Sequence, residues 1–496
     1  MNADGKSDEF VVPSTQANNA GTEPAAESAE GRNSAKRNVQ SSGLDRSPKR
    51  NQRRSLGLAG VRVTAKAQPE LKFTSLLHHI NEALLYEAFF DLKKTAAVGI
   101  DEVTWHDYEQ AIEDHIPDLH GRIHRGAYRA KPSKRIYIAK PDGRKRPIGI
   151  ASLEDKIVQK ATVWALQSIY EQDFLGFSYG FRPGRSQHAA LDALSVAIPD
   201  GKVNWVLDAD VEGFFDNIDH AWLMKFLEHR VADKRILRLI GKWLRAGVSD
   251  DGEWSETTVG TPQGAVISPL LANVFLHYVF DLWIQWWRKN RSTGEVVVVR
   301  YADDFVIGFE RQNDAQRCLE ELRARFAKFG LKLHKDKTRL IEFGRYAARK
   351  RQSRGEGRPE TFDFLGFTHR CDVTSRGWFA LRRATIAKRL RATLAAIKTK
   401  LIQRRHWPID AVGKWLRRVC QGWLNYHAIP GNLERVAQFL DEVKKHWLAQ
   451  LRRRSSRHRM SWARFARITA RHLPRPQMVH PFPSVRFRAR LKAGAV

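Results

Sequence analysis

Two adjacent carboxylates, Asp303 and Asp304, stand between the apolar runs Val296 to Val299 and Phe305 to Phe309. The pattern predicts two β-strands joined by a tight turn through Tyr301-Ala302-Asp303-Asp304. Alternation along a strand would send the two aspartates to opposite faces, whereas a turn presents both together. Carboxylates flanked by chain too apolar to hydrate them repel one another unless a cation sits between them. A hard divalent ion such as Mg2+, which prefers oxygen ligands, meets that need. A surface hairpin with an Asp-Asp turn fits the same four residues, so a second acidic element carries weight. Trp205 to Val211 supplies one: period two puts Val206, Asp208 and Asp210 on one face and Trp205, Leu207 and Ala209 on the other. Phe214-Phe215 follows, then Asp216-Asn217 as a helix cap before Ile218 to Arg230.

The order of the segments adds to this. Asp210-Val211-Glu212-Gly213-Phe214-Phe215-Asp216 followed by Tyr301-Ala302-Asp303-Asp304 resembles the palm signature of reverse transcriptases. In matching order stand Lys140 to Ile150, Tyr179-Gly180-Phe181-Arg182-Pro183-Gly184-Arg185-Ser186, Gly260 to Ala265 with Ser268 to Leu271, Leu331 to Thr338, and Phe362 to Phe367. Gly422-Trp423-Leu424-Asn425-Tyr426-His427 resembles the hallmark of the maturase domain of group II intron-encoded proteins. The similarity runs from about residue 70 to the C-terminus.

That resemblance implies a reaction and roles. The reaction is phosphoryl transfer from a deoxynucleoside triphosphate to a 3'-hydroxyl, which needs positioning and charge neutralisation, commonly by two metal ions. Asp210, Asp303 and Asp304 would hold two Mg2+ ions, with the Val211 carbonyl as a further ligand and Asp208 as the runner-up to Asp210. Lys140 and Arg146 would grip the triphosphate, with Arg135 and Lys145 as weaker candidates. Gln263 would lie near the sugar and base, unless Thr261 to Gly264 is a simple turn. Phe215 falls where the family excludes the ribose 2'-hydroxyl, one of Phe214 and Phe215 being core. Lys337 would neutralise or protonate pyrophosphate, or is a surface lysine. The maturase motif would stabilise the thumb and its RNA-binding surface.

Charge points the same way. Of a net +31 over 496 residues, +24 falls in residues 371–496, leaving the middle of the chain almost neutral. A field of that sign implies a polyanionic partner. Ile386, Leu390, Leu394, Ile397 and Leu401 predict an amphipathic helix whose basic back includes Arg389, Arg391, Lys398 and Lys400. Arg452, Arg453 and Arg454 beside Trp462 and Phe465 add cations and aromatic rings for nucleic acid. Cys318, Cys371 and Cys420 are widely separated, which argues for a reducing compartment and against a zinc site. With that goes the absence of the Cys/His-rich endonuclease that ends many relatives, so target-DNA cleavage is not expected. Pro269 to Trp287 is apolar, but Asn273, His277, Asp281 and Gln285 recur every four residues as a polar stripe, so it reads as a buried amphipathic palm helix rather than a membrane span. The N-terminus lacks a signal peptide, which predicts a cytoplasmic protein, nucleoid-associated when acting on DNA.

The expected fold is α+β: a right-hand polymerase of fingers and palm, its sheet covered by helices on one face, followed by an all-helical thumb/maturase domain and a basic extension. The expected divisions are a disordered tail over 1–66, fingers over 67–199, palm over 200–372, thumb/maturase over 373–450 and the extension over 451–496. The expected function is an RNA-directed DNA polymerase that binds group II intron RNA, assists its splicing and copies it, with RNA/DNA duplex and target DNA as further partners. Two alternatives remain at this point: a splicing cofactor with a vestigial polymerase site, and a reverse transcriptase recruited to host defence.

Overall fold

The computed structural model describes residues 48–139, 145–250, 253–255, 259–454 and 460–486. In chain order its main elements begin with helices α1 (Pro48–Ala67), α2 (Glu82–Asp91) and α3 (Ile112–His124), the hairpin β1 (Ser133–Ala139) and β2 (Lys145–Ile150), and helices α4 (Leu153–Asp173) and α5 (Gln187–Asp200). Strand β3 (Trp205–Ala209), helices α6 (His220–Glu228) and α7 (Lys234–Arg245), and the short strands β4 (Val248–Asp250) and β5 (Glu253–Ser255) follow. Helix α8 (Ser268–Leu276) runs through a π turn, His277–Asp281, into α9 (Leu282–Asn290). Then come β6 (Val296–Tyr301), β7 (Asp304–Phe309), α10 (Gln312–Lys328), β8 (Arg339–Glu342), β9 (Phe362–Phe364), β10 (Phe367–Val373) and β11 (Phe379–Thr385). Helices α11 (Ala387–Gln403), α12 (Ile409–His427), α13 (Leu433–Arg452) and α14 (Trp462–His472) complete the fold.

The central sheet has the order β6-β7-β3-β8, with β3 antiparallel to both its neighbours. Period two behaves on β3 as the sequence predicts. Leu207 and Ala209 join the core built with α6 to α10, while Val206 joins the core on the other face. That second face is not open, as a sheet with helices on one side would leave it. Alternate residues Val297, Val299 and Val306 pack there against α5 and the sheet of β9 to β11. Strands apolar on both sides, such as Val296 to Val299, require such two-sided cover.

Three boundaries differ from expectation. Residues 48–66 belong to helix α1 rather than to a disordered tail, because Leu58, Val61 and Ala65 form a stripe buried in the core. Strands β10 and β11 pair from Phe367↔Thr385 to Val373↔Phe379, so the sheet crosses the expected division at 372 and the helical part starts at Ala387. The segment after α14 is not a free basic end: Val479 N–H donates to the Ala428 carbonyl (3.0 Å) and Arg486 pairs bidentately with Asp192 of α5, Nη2 to Oδ1 2.8 Å. Asp192 is fully buried and also faces Arg383 of β11 at 3.7 Å, so one carboxylate joins three separate stretches of chain. Among the described residues no helix is long and apolar enough to cross a membrane.

Breaking one partner of a buried ion pair strands the other charge. Arg486→Ala is therefore expected to lower stability by about 1–3 kcal/mol, Arg383 offsetting part of the loss, and to expose the chain after Leu473 to limited proteolysis. An unchanged denaturation midpoint and cleavage pattern would contradict the tie.

Candidate active site

The turn carrying Asp303 is strained and held. Tyr301 pairs with Asp304 across a two-residue turn, and Ala302 takes φ +57°, a left-handed conformation in which glycine is the usual residue. Arg300 pins it. Its guanidinium donates to the Ala302 carbonyl (2.9 Å), to both oxygens of Asp281 (2.7 and 2.6 Å), to Asn273 Oδ1 (3.1 Å) and to Ser178 Oγ (2.7 Å). All five N–H donors are thus used, in a site where Arg300 and Asp281 are both fully buried. The polar stripe on α8 and the π turn is therefore turned into the protein, with Asn273, His277 and Asp281 buried. Gly180 leans on the same turn: a Cβ there would come within 2.2 Å of the Ala302 nitrogen, and Asn273 Nδ2 donates to its carbonyl at 2.7 Å. The Tyr179 to Ser186 motif thus acts here as a backbone buttress.

The second acidic element meets this turn. Beyond β3 the chain stays extended: His334 N–H donates to the Asp210 carbonyl (2.8 Å), Val211 bridges Leu333, and Glu212 N–H donates to the Lys332 carbonyl (2.8 Å). These bonds bring Lys337 to Asp210, where its ammonium donates to Oδ2. Crowding by protein, with the charges of Asp303, Asp210 and Asp208, pushes the Asp304 carboxyl up to about 7, Lys337 pulling it back. Asp304 itself keeps solvent access, so the neighbouring charges are the part a cation relieves. Burial, and then Asp210, raise Asp303, with Arg146 and Arg300 opposing. Burial raises Asp208 to about 6 despite Arg339 at 3.5 Å, which marks it as the partner of a neighbouring cation.

The donor set fits hard divalent ions. Asp210, Asp303 and Asp304 offer oxygen only, their charges act on one another, and a lysine ammonium is already drawn among them. Among the described residues no three side chains form a ready-made metal cluster, and Asp210 is paired with Lys337.

A loop joins the other predicted residues. Thr261 N–H donates to the Phe215 carbonyl (2.8 Å), and Gly149 N–H of β2 donates to the Gln263 carbonyl (2.7 Å). Gly264, at φ +112°, lets β2 approach, because a Cβ there would sit 2.7 Å from the Gly149 oxygen. Phe215, Gln263 and the strand bearing Arg146 are thereby stitched together, and Arg146 is exposed and close enough to act on Asp303. Phe214 is core and Phe215 half-buried, so Phe215 is the ring free to meet a ligand. Lys140 lies outside the described residues.

The Trp423 to His427 motif joins the helical part to the sheet. Tyr426 Oη donates to the Leu365 carbonyl (2.7 Å), and its ring stacks on Phe367. Asn432 bridges the Thr385 N–H and the His427 carbonyl, while Trp423 stacks on Phe439. Sequence reading missed Arg300, and placed Asp281 in a polar stripe without its partner. Their signal is present as one cation and one anion within otherwise apolar elements.

Comparison with known proteins agrees with this geometry. Residues 138–369 match the family of reverse transcriptases (RNA-dependent DNA polymerases). Protein YkfC of Escherichia coli is 34% identical over 337 residues, covering 59% of this chain and 88% of that one. The group II intron-encoded protein LtrA of Lactococcus lactis is 35% identical over 220 residues, 44% of this chain. This chain belongs to the reverse transcriptases. The match spans 36% of LtrA's length, and a putative COX1/OXI3 intron 2 protein of Saccharomyces cerevisiae is matched at 36% identity over 18% of its length.

Two outcomes follow for this reverse transcriptase. A proton on Asp304 competes with a metal ion, so Mn2+ affinity read by electron paramagnetic resonance should fall roughly ten-fold from pH 8 to pH 6. Affinity independent of pH would contradict the coupling. Asp281→Asn should destabilise the fold by about 3–5 kcal/mol, because Arg300 is left buried without its counter-charge, and should lower activity without touching substrate.

Proposed function

We propose that this chain extends a DNA primer on an RNA template, and that it does so on intron RNA whose splicing it also assists. The observation that carries the reading is the electrostatic coupling of three carboxylates from two distant strands, with the Lys337 ammonium bonded to Asp210 among them. In this reading β1–β2 and their helices are the fingers, the β6-β7-β3-β8 sheet is the palm, and α11 to α13 are the thumb. Two Mg2+ ions, when bound, would polarise the attacking 3'-hydroxyl and the leaving pyrophosphate oxygen. Asp210, Asp303 and Asp304 would hold them, with the Val211 carbonyl as a further ligand. Arg146, together with Lys140, orients the triphosphate. Gln263 lies along the sugar and base, and the half-buried Phe215 ring closes the space where a 2'-hydroxyl would project. Lys337, exposed beside Asp210, would neutralise pyrophosphate.

The helical part supplies the grip on RNA. Arg389, Arg391, Lys398 and Lys400 are all exposed on α11. At the far end of that helix Arg404 lies over Trp407 and Trp415 (5.1 and 4.6 Å), Arg452 lies over Trp462 (5.7 Å), and Arg454 donates to the Trp407 carbonyl. Exposed Trp407 and Trp462 among Arg452, Arg453 and Arg454 suit base stacking beside phosphate contacts. The widely separated cysteines, suited to a reducing compartment, support a reading in which the enzyme works in the cytoplasm and at the nucleoid.

Primer extension on an RNA template with Mg2+ tests the reading, run beside Asp303→Asn. The variant should fold normally and lose at least about a thousand-fold in rate, one metal ligand being gone. Extension by the variant near the rate of the unaltered enzyme would overturn the assignment.

A further inference from the structure

The hairpin of β10 and β11 has one face packed and one bare. Cys371, Phe379 and Leu381 turn into the core. Arg370, Asp372 and Arg382 take the opposite side by strand alternation and register, Arg370 pairing directly with Arg382, and Trp378 stands just before β11 at the tip. Two like charges directly opposed destabilise a sheet unless something answers them. Here Asp372 does, at 3.4 Å from Arg370 and 3.0 Å from Arg382, and leaves one net positive charge. Between Arg382 and Trp378 stands only Ala380, which leaves a low floor roughly 13 Å long.

The tip is built rather than loose. Thr374 N–H donates to the Trp378 carbonyl (2.7 Å), Gly377 N–H to the Thr374 carbonyl (2.9 Å), and Trp378 N–H to Thr374 Oγ1 (3.1 Å), with Gly377 at φ +78° closing the turn. The backbone is satisfied, yet the Trp378 side chain is 73% exposed, more than any other exposed large apolar side chain among the described residues. An indole so exposed on a bonded backbone adds little to the fold, since its removal would leave the hairpin bonds in place.

We propose that this face is a nucleic-acid subsite that takes an unpaired base of a structured RNA: the base stacks on Trp378 while Arg370 and Arg382 hold the flanking phosphates. Stacking needs an unpaired base, and a narrow convex tip cannot enclose a duplex. The basic charge favours a polyanion over a protein partner. The subsite is independent of the polymerase reading, because none of its residues contributes to the carboxylate site.

The test uses full-length protein carrying Asp303→Asn, with an oligouridylate of about twelve nucleotides bearing one 5-iodouridine, and a blunt RNA duplex as the control. The expected result is a photo-adduct on Trp378, single-strand affinity at least about five-fold lower for Trp378→Ala and largely restored for Trp378→Phe, and duplex affinity unchanged. Arg370→Gln with Arg382→Gln should make the salt dependence shallower by about 1.4 in logarithmic slope. Absence of the adduct with equal affinity for Trp378→Ala, or an equal loss on the duplex, overturns the proposal. Because the background protein cannot polymerise, a failed polymerase reading leaves this outcome intact.

Discussion

The buried pair of Arg300 and Asp281 is the constraint on which the active site depends. A turn with a left-handed alanine at its first central position does not persist by local preference, and the two aspartates it carries repel each other and Asp210. Arg300 offsets both costs. It binds the turn's carbonyl directly and sets a positive charge behind the acidic surface, while Asp281 holds it bidentately from the helix beneath. Removing one charge of such a pair is far more damaging than replacing both by apolar groups, so pair and turn persist together.

From that anchor the rest of the site follows by short steps of backbone bonding. The Asp210 strand is fixed by pairing with Lys332 to His334, which delivers Lys337; the Gln263 loop ties β2 to Phe215. Lys337 then stands as a counter-ion to Asp210 supplied by the chain itself.

Much of this was legible in the sequence. The acidic turn, the alternation of β3 and the basic apolar-striped helix α11 are local patterns with a fixed period, and the structure forms each of them. What was not legible depends on partners far apart in the chain. Arg300 finds Ser178, 122 residues away, and Arg486 finds Asp192 across 294 residues, and neither spacing leaves a periodic trace. The polar stripe of Asn273, His277 and Asp281 was visible, but its direction was not: a stripe facing water and one facing a buried arginine have the same spacing. The start of α1 and the extent of β10 and β11 were misjudged for the same reason, because each is stabilised by packing on distant elements.

The central claim is that Asp210, Asp303 and Asp304 share cations beside the end of a growing strand. Anomalous diffraction from crystals grown with Mn2+, a primer on an RNA template and a non-hydrolysable nucleotide tests it most directly. The account predicts two peaks about 4 Å apart, ligated by these three carboxylates, with the Lys337 ammonium moved off Asp210. Peaks elsewhere, or none with Lys337 still bonded to Asp210, would contradict it.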